Sequence, residues 1–581
     1  MKEETRNLVL FVAIAAVILI GWQFVVTRFL PPARPPVTKI AGGETKVVKS
    51  AAADPAADSA AATKSRQAVL AETPRVRIDT PSLQGSINLR GARLDDLVLL
   101  RHRETIAKNS PFVRLLSPSG APRAYFASWG WAGDGVQTPG RDTLWTADAP
   151  VLAPGRPVTL STTNAQGLRF QLRFTVDRDY MFSVQQSVAN ASGRPVTLRP
   201  YGLISRTGLP HEIDTWTNHV GPVGVFGRGA NYDITYPNLQ GEGPSFWARI
   251  FGSSAKAGEN YFDHKGGWLG FGDIYWLTAL IPDQQAQVHA GFKGAGDTFQ
   301  ADYTRAPVTL PAGRAATQTS RFFAGAKEVE LIDGYQDKGG IENFDKAIDW
   351  GWFRIIEKPI FYYLDFLSKL IGNFGVAIIA LTITVRGLLF PIAQRQFASM
   401  AKMKAVQPKM KAIQERYADD KQRQQQEIMA LYRAEGVNPL AGCLPVLLQI
   451  PIMYALYKVL LLTIEMRHQP FALWIRDLSA PDPLTPINLF GLLPFTPPAV
   501  IAIGIIPILL GVSMYYQFKL NPAPMDEAQK QVFAIMPWML MFVMAPFAVG
   551  LQLYWITSNV LTILQQRLLY ARHPEMLAPV K

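Results

Sequence analysis

The most chemically demanding residue is Arg386. It lies inside Gly375 to Phe390, GVAIIALTITVRGLLF, an apolar run of membrane-spanning density. Leu388, Leu389, Phe390 and Ile392 follow it, so it sits within the run and does not cap it. A guanidinium at membrane depth costs from about 3 to above 10 kcal/mol, and it cannot shed its proton to escape. It must face a water-filled cavity, a partner or a ligand. A structural ion pair and simple snorkelling are the plainer alternatives. No carboxylate lies inside a neighbouring apolar run, however. Glu357, Asp365 and Glu465 all sit near run ends. Thr382 lies four residues before Arg386, on the same helical face. The last apolar run adds Trp555, Thr557, Ser558, Asn559 and Thr562, polar atoms that lipid alone disfavours. Interhelical hydrogen bonding explains Ser558 and Thr562 equally well.

Other chemistry is scarce. There is no P-loop, no dinucleotide fingerprint and no GxSxG, and no two of the seven histidines are spaced as a helical metal pair. One cysteine, Cys443, excludes an intrachain disulfide and a Cys-based zinc site. His211-Glu212-Ile213-Asp214 could be drawn as an acid–base cluster, but acids on a loop are usually just solvated. These observations predict no enzyme chemistry and no cofactor. The net charge of +13 would suggest nucleic acid in a soluble protein. Here much of it falls in short loops between apolar runs, so topology explains it better.

The elements that must position Arg386 divide the 581 residues into two textures. Residues 1–30 read as an uncleaved membrane anchor, because Leu8 to Val26 is apolar apart from Gln23, and Trp22, Phe24 and Phe29 stand where a signal peptidase needs small residues. Residues 31–74 lack apolar density and read as a disordered tether. Residues 75–340 alternate in short segments separated by turns such as SPSG and PAGR, the pattern of one large antiparallel β-sandwich. Its many tryptophans read as core, with a carbohydrate cleft as the functional alternative. Residues 341–359 place Phe344, Ile348, Trp352 and Ile355 at helical spacing, which predicts an amphipathic helix at the membrane surface.

The second half is apolar. Spans are expected at Phe361–Phe390 within residues 360–395, then four more within 439–570: Leu440–Thr463, a fourth near Ile487–Tyr516 whose prolines predict a late start or kink, and two from the charge-free stretch Gln531–Gln566, broken at Pro546–Gly550. Residues 396–438 repeat apolar residues every three or four, with a break at Ala418-Asp419-Asp420, and read as a helical hairpin. The loop between the second and third spans carries nine basic residues from Arg395 to Arg433, whereas the next has Arg467 and Arg476. The hairpin is therefore expected in the cytoplasm, with both termini and the tail 571–581, and the sandwich outside. Its basic residues could contact lipid headgroups or ribosomal RNA.

Several motifs then fall in order between these spans: Thr382-Ile-Thr-Val-Arg386-Gly387, Ser399-Met-Ala-Lys-Met403, Gln407-Pro408-Lys409, Asn438-Pro-Leu-Ala-Gly-Cys-Leu-Pro445, Gln449-Ile-Pro451 and Pro470-Phe-Ala-Leu-Trp474. Together they resemble the YidC/Oxa/Alb family of membrane protein insertases, strongly over Ile341–Tyr570. The anchor, the external domain and Lys265-Gly-Gly-Trp268 resemble its branch with a large periplasmic domain. The resemblance implies an α-helical polytopic inner-membrane protein with six transmembrane helices. Five would form an insertase core, joined to a periplasmic all-β sandwich and a cytoplasmic helical hairpin. It implies a hydrophilic groove in which Arg386 attracts the polar or acidic flank of an incoming substrate. Trp555 takes a substrate-contacting aromatic position where several relatives place tyrosine. Thr382, Thr557 and Asn559 complete the expected groove. No nucleotide is implied, since burying a span of about 20 apolar residues supplies roughly 0.8 kcal/mol per methylene. The implied partners are nascent integral membrane proteins, the Sec translocon with its accessory subunits, the ribosome through the cytoplasmic loops and tail, and lipid. A polytopic transporter with an external sensor domain is the competing class. It would need internal repeats and midplane carboxylates, and neither is present in the sequence. A membrane-anchored sugar-binding protein is the third class.

Overall fold

The computed structural model of the protein describes residues 64–210, 212, 218–227, 229–243, 255–417, 420–435, 444–491, 493, 503–520 and 527–572. The expected anchor, most of the expected tether, nearly all of the tail and all of His211-Glu212-Ile213-Asp214 except Glu212 lie outside the described residues.

The alternating segments pair into two mainly antiparallel sheets. One runs Asn260–Lys265, Gln287–Ala295, Thr298–Arg305, Val196–Thr207, Tyr125–Ala132, Arg93–Arg103, Leu83–Asn88, Arg75–Asp79 and, in parallel, Val151–Leu152. The other is built on Trp276–Ile281, Ala315–Ala326, Met181–Asn190, Leu168–Val176 and Val158–Thr163. Leu168–Val176 shows why they stack: every second residue is buried, so one face of the strand must be covered. Trp129 of the first sheet meets Phe174 and Phe322 of the second edge-on, at centroid distances of 5.7 and 5.5 Å. Trp131, Trp145 and Trp268 are also buried, so these tryptophans are core. Lys265-Gly266-Gly267-Trp268 is a turn with both glycines at positive φ, and a Cβ on Gly267 would meet the Val225 carbonyl oxygen at 2.1 Å. The tether is shorter than expected: Arg66–Ala71 forms a helix, α1, capped by Ser65. A second short helix, α2, spans Tyr236–Leu239.

The helical half begins with α3, Val329–Asp337. Residues 341–353 hold two short 3₁₀ turns, Phe344–Ala347 and Gly351–Phe353. The long amphipathic helix is α4, Arg354–Ile371, which lies later than the expected 341–359. Phe361, Leu364 and Leu367 face inward, and Ile355, Phe366 and Leu370 are exposed. The expected span Phe361–Phe390 is thus two helices. Gly372 takes a left-handed φ of +78° and ends α4, and Asn373 caps α5, Phe374–Arg416, its side-chain oxygen accepting the Val376 N–H at 3.1 Å. Glycine and asparagine do this because Gly adopts the left-handed region freely and Asn satisfies an orphan N–H. The apolar part of α5, Phe374–Ile392, has the length and composition to cross a membrane.

The remaining helices are α6 at Lys421–Ala434, α7 at Leu444–Leu462, α8 at Ile505–Lys519, α9 at Glu527–Met544 and α10 at Val549–Arg572. The prolines after Ile487 are followed by a helix that starts only at Ile505. Helix α6 turns back on α5, with Tyr432 Oη donating to Met410 Sδ at 3.2 Å and Gln424 donating to the Gln414 carbonyl at 2.8 Å. Gln552 fastens the tight turn between α9 and α10, its amide donating to the carbonyls of Met544 and Phe547 at 2.9 and 2.8 Å. In the bundle α5 packs on α4 and α10, α10 on α8 and α7, and α8 on α9.

Sandwich and bundle interlock. Val329 is buried in the helical core and Ile464 in the sandwich core. Glu465 accepts the Val329 N–H at 2.8 Å. Arg467 donates to the carbonyls of Arg103 and Glu104 at 2.8 and 3.0 Å, with its guanidinium over Tyr275 and Trp276. Lys358 pairs with Asp333 at 2.8 Å. Burial pushes the Glu465 carboxyl from its ordinary 4.5 up to about 7, against the pull of the Val329 N–H. A carboxyl that binds its proton more tightly folded than unfolded contributes stability that is complete below about 4.5 and lost as pH rises through about 7. Glu465→Gln, a permanent analogue of the neutral acid, is therefore expected to melt above wild type at about pH 8 and level with it near pH 5. Equal melting temperatures across that interval, or an advantage confined to low pH, would contradict this origin.

Candidate functional site

Arg386 is carried by α5 and Ser558 by α10, neighbours in the bundle. The guanidinium Nε donates to Ser558 Oγ at 3.0 Å, and one terminal nitrogen donates to the same oxygen. The arginine is half-buried. Among the described residues no carboxylate comes within 4.0 Å of it. None of the three acids at the ends of the neighbouring apolar runs pairs with it. Glu465 binds the Val329 N–H, Asp365 pairs with Lys369 at 2.7 Å, and Glu357 is fully buried with neither carboxylate oxygen hydrogen-bonded. A single hydroxyl spreads little of a unit charge, so the cation keeps unused donors.

The other expected residues divide by where their polar atoms go. Thr382 is buried, and its hydroxyl donates back to the Ile378 carbonyl at 2.6 Å. Thr557 does the same to Leu553 at 2.8 Å, and Thr562 to Ser558 at 2.8 Å. A threonine can satisfy its hydroxyl proton on its own helix in this way, which leaves only its acceptor lone pairs for another group. Asn559 is buried and donates to Ser513 Oγ of α8 at 2.9 Å, a bond between helices. Trp555 is half-buried and packs at the edge of the helical core. It lies three residues before Ser558, hence on the same face of α10. The structure thus brings Arg386 and Ser558 together across the α5–α10 contact, and helical spacing puts Trp555 on the Ser558 face of α10. It uses Thr382, Thr557 and Asn559 as framework hydrogen bonds.

Two features hold α5 at this register. Asn373 donates to the Phe471 carbonyl at 2.8 Å. Gly375 lets the ring of Phe471 lie against the helix, since a Cβ there would come within 2.0 Å of that ring. Tyr363 Oη and Thr384 Oγ1, 2.9 Å apart, tie α4 to α5 two residues before the arginine. Phe471 belongs to the Pro470–Trp474 motif, so the loop after α7 sets the start of the helix that bears Arg386.

Comparison with known proteins agrees with this division of the chain. Residues 75–363 match the family model described as YidC periplasmic domain, and residues 366–576 match that of the 60Kd inner membrane protein. The membrane protein insertase YidC of Zymomonas mobilis is 46% identical, over 98% of this chain and 96% of its own length. That of Beijerinckia indica is 44% identical, again over 98% and 96%. A crystal structure of an active YidC insertase aligns over 86% of this chain and 93% of its own, at 18% identity and a TM-score of 0.36. With both halves matched and close to half of all residues shared with full-length relatives, this chain belongs to the YidC family of membrane protein insertases.

Proposed function

We propose that this insertase takes the hydrophilic flank of an incoming membrane protein onto Arg386, in a wet groove between α5 and α10. What supports the reading is a guanidinium on an apolar helix whose one described side-chain partner is a serine. A cation so placed is stable only where water or an anionic group reaches it. An acidic or polar segment supplies that group and is in turn held partway through the bilayer. The apolar part of the substrate then passes along Trp555 and leaves between helices into lipid. Burial of its span drives the step without nucleotide.

In this reading α5 and α7–α10 cross the inner membrane together with an N-terminal anchor, making six spans. The basic hairpin of α5 and α6 stands in the cytoplasm, where the ribosome meets it, and the sandwich stands in the periplasm. Both termini are cytoplasmic. The amphipathic α4 lies along the outer surface with Ile355, Phe366 and Leu370 toward lipid. The protein acts alone or beside the Sec translocon and its accessory subunits, and also chaperones the folding of what it inserts.

Arg386→Ala is expected to lower insertion of a small membrane protein with an acidic external tail by roughly ten-fold, with a weaker effect on one whose tail is uncharged. Equal loss for both substrates would refute an electrostatic role. Thr382→Val should leave insertion unchanged, since the hydroxyl only returns to its own helix. Asn559→Leu should cost about 1–2 kcal/mol of thermal stability with insertion per folded molecule retained, because it breaks a bond between spans. A selective insertion defect without loss of stability would move Asn559 into the groove.

A further inference from the structure

The loop joining α7 to α8 emerges on the sandwich's side of the bundle, where Arg467 is bonded to the sandwich carbonyls of Arg103 and Glu104. Three large apolar side chains on it stand in the open: Leu473 is 87% exposed, Leu489 52% and Phe490 51%. All three hold a positive φ, of 56°, 49° and 59°. That region is costly for a bulky L-residue and persists only where the surroundings over-determine it.

The surroundings do so. Asp482, buried, accepts Trp474 Nε1 and the Leu484 N–H at 3.0 Å each on one oxygen, and the Ile506 N–H at 2.8 Å on the other. One carboxylate thus caps the first turn of α8 and ties both arms of the loop to it. The Thr485 carbonyl accepts the Phe490 N–H at 3.0 Å. Charge is sorted as well. Asp477 and Asp482 are the two carboxylates between residues 470 and 493, and both turn inward, Asp477 onto Ser479. Arg476 is exposed. A built loop that spends backbone strain to hold apolar side chains outward, and hides its acids, is shaped for a surface that is apolar and anionic.

We propose that Leu473, Leu489 and Phe490 are seated in the outer leaflet, with Arg476 toward anionic headgroups, so that this loop fixes the depth of the bundle on its outer side. The loop is continuous at both ends with apolar helices, α7 ending at Leu462 and α8 starting at Ile505. Its rim therefore falls where hydrocarbon gives way to headgroups. Because α4 bounds the same side, loop and helix together ring the outer end of the site. The proposal rests on the reading that α7–α10 cross the bilayer.

The test uses the full-length protein with Cys443→Ser, reconstituted in vesicles of phosphatidylcholine and phosphatidylglycerol. Single cysteines are introduced as Leu473→Cys or Phe490→Cys and labelled with an environment-sensitive fluorophore. Lipid brominated near the glycerol end of its chains should blue-shift neither label further but quench both at least about two-fold, as for a group seated at the headgroup boundary. Phe542→Cys in α9 reports the spanning reading by itself and should be quenched by bromine deep in the chain. Ala312→Cys in an exposed sandwich turn should not be quenched. Water-like, unquenched labels at both loop positions beside a quenched Phe542→Cys would overturn the proposal alone and point to a protein partner for the loop. An unquenched Phe542→Cys would overturn the spanning reading with it.

Discussion

Everything in the helical half is arranged around a charge that cannot be neutralised. Arg386 keeps its proton at any accessible pH, and the structure gives it the hydroxyl of Ser558 within a contact between two apolar helices. A fixed carboxylate there would have made a closed ion pair, stable and inert to ligands. The acids that could have served are held at the joint with the sandwich instead. Among the described residues this keeps the cation apart from any carboxylate, and in the function proposed above an acidic or well-hydrated polypeptide segment completes the site.

The rest of the architecture keeps Arg386 in register. Asn373 and Gly375 lock the start of α5 against Phe471, and the loop that bears Phe471 is itself fastened by Asp482 to the first turn of α8. The sandwich enters the same scheme through Val329, Glu465 and Arg467, which exchange buried groups between the two cores. The large external domain is therefore not hung on a flexible strand. It grips the start of α4 and the segment that follows α7, and movement of the sandwich would be felt at the loop that positions α5. Burial raises the carboxyls of Glu357 and Glu465, which makes this joint sensitive to pH.

Much of this was readable in the residues. Arg386 stood out because a charge within an apolar run has few physical solutions. The sandwich followed from period-two alternation, and the late start of α8 from its prolines. The division between α4 and α5 was also written, as Gly372-Asn373, but the apolar content around it masked the signal and suggested one continuous span. Ser558 could not be singled out over Thr557 or Thr562, because which polar residue of α10 faces α5 depends on helix rotation, and that is set by packing across the whole bundle. Polarity at depth says that a hydroxyl needs an acceptor but not which one, and Thr382 and Thr557 find theirs four residues back on their own helix. Asp482 drew no notice, since a lone acid in a loop gives no sign that it caps a helix more than twenty positions on.

The claim that the cation is open to a passing chain is tested most directly by site-specific photo-crosslinking. A photoreactive residue is placed at position 558, beside the intact Arg386, or at 555, and another at Leu564 on the exposed side of α10, each probed with a nascent membrane protein stalled partway through insertion. The account predicts adducts to the hydrophilic flank from 558, adducts to the apolar span from 555, and neither from 564. No adduct from 558, or equal yields from all three positions, would contradict it.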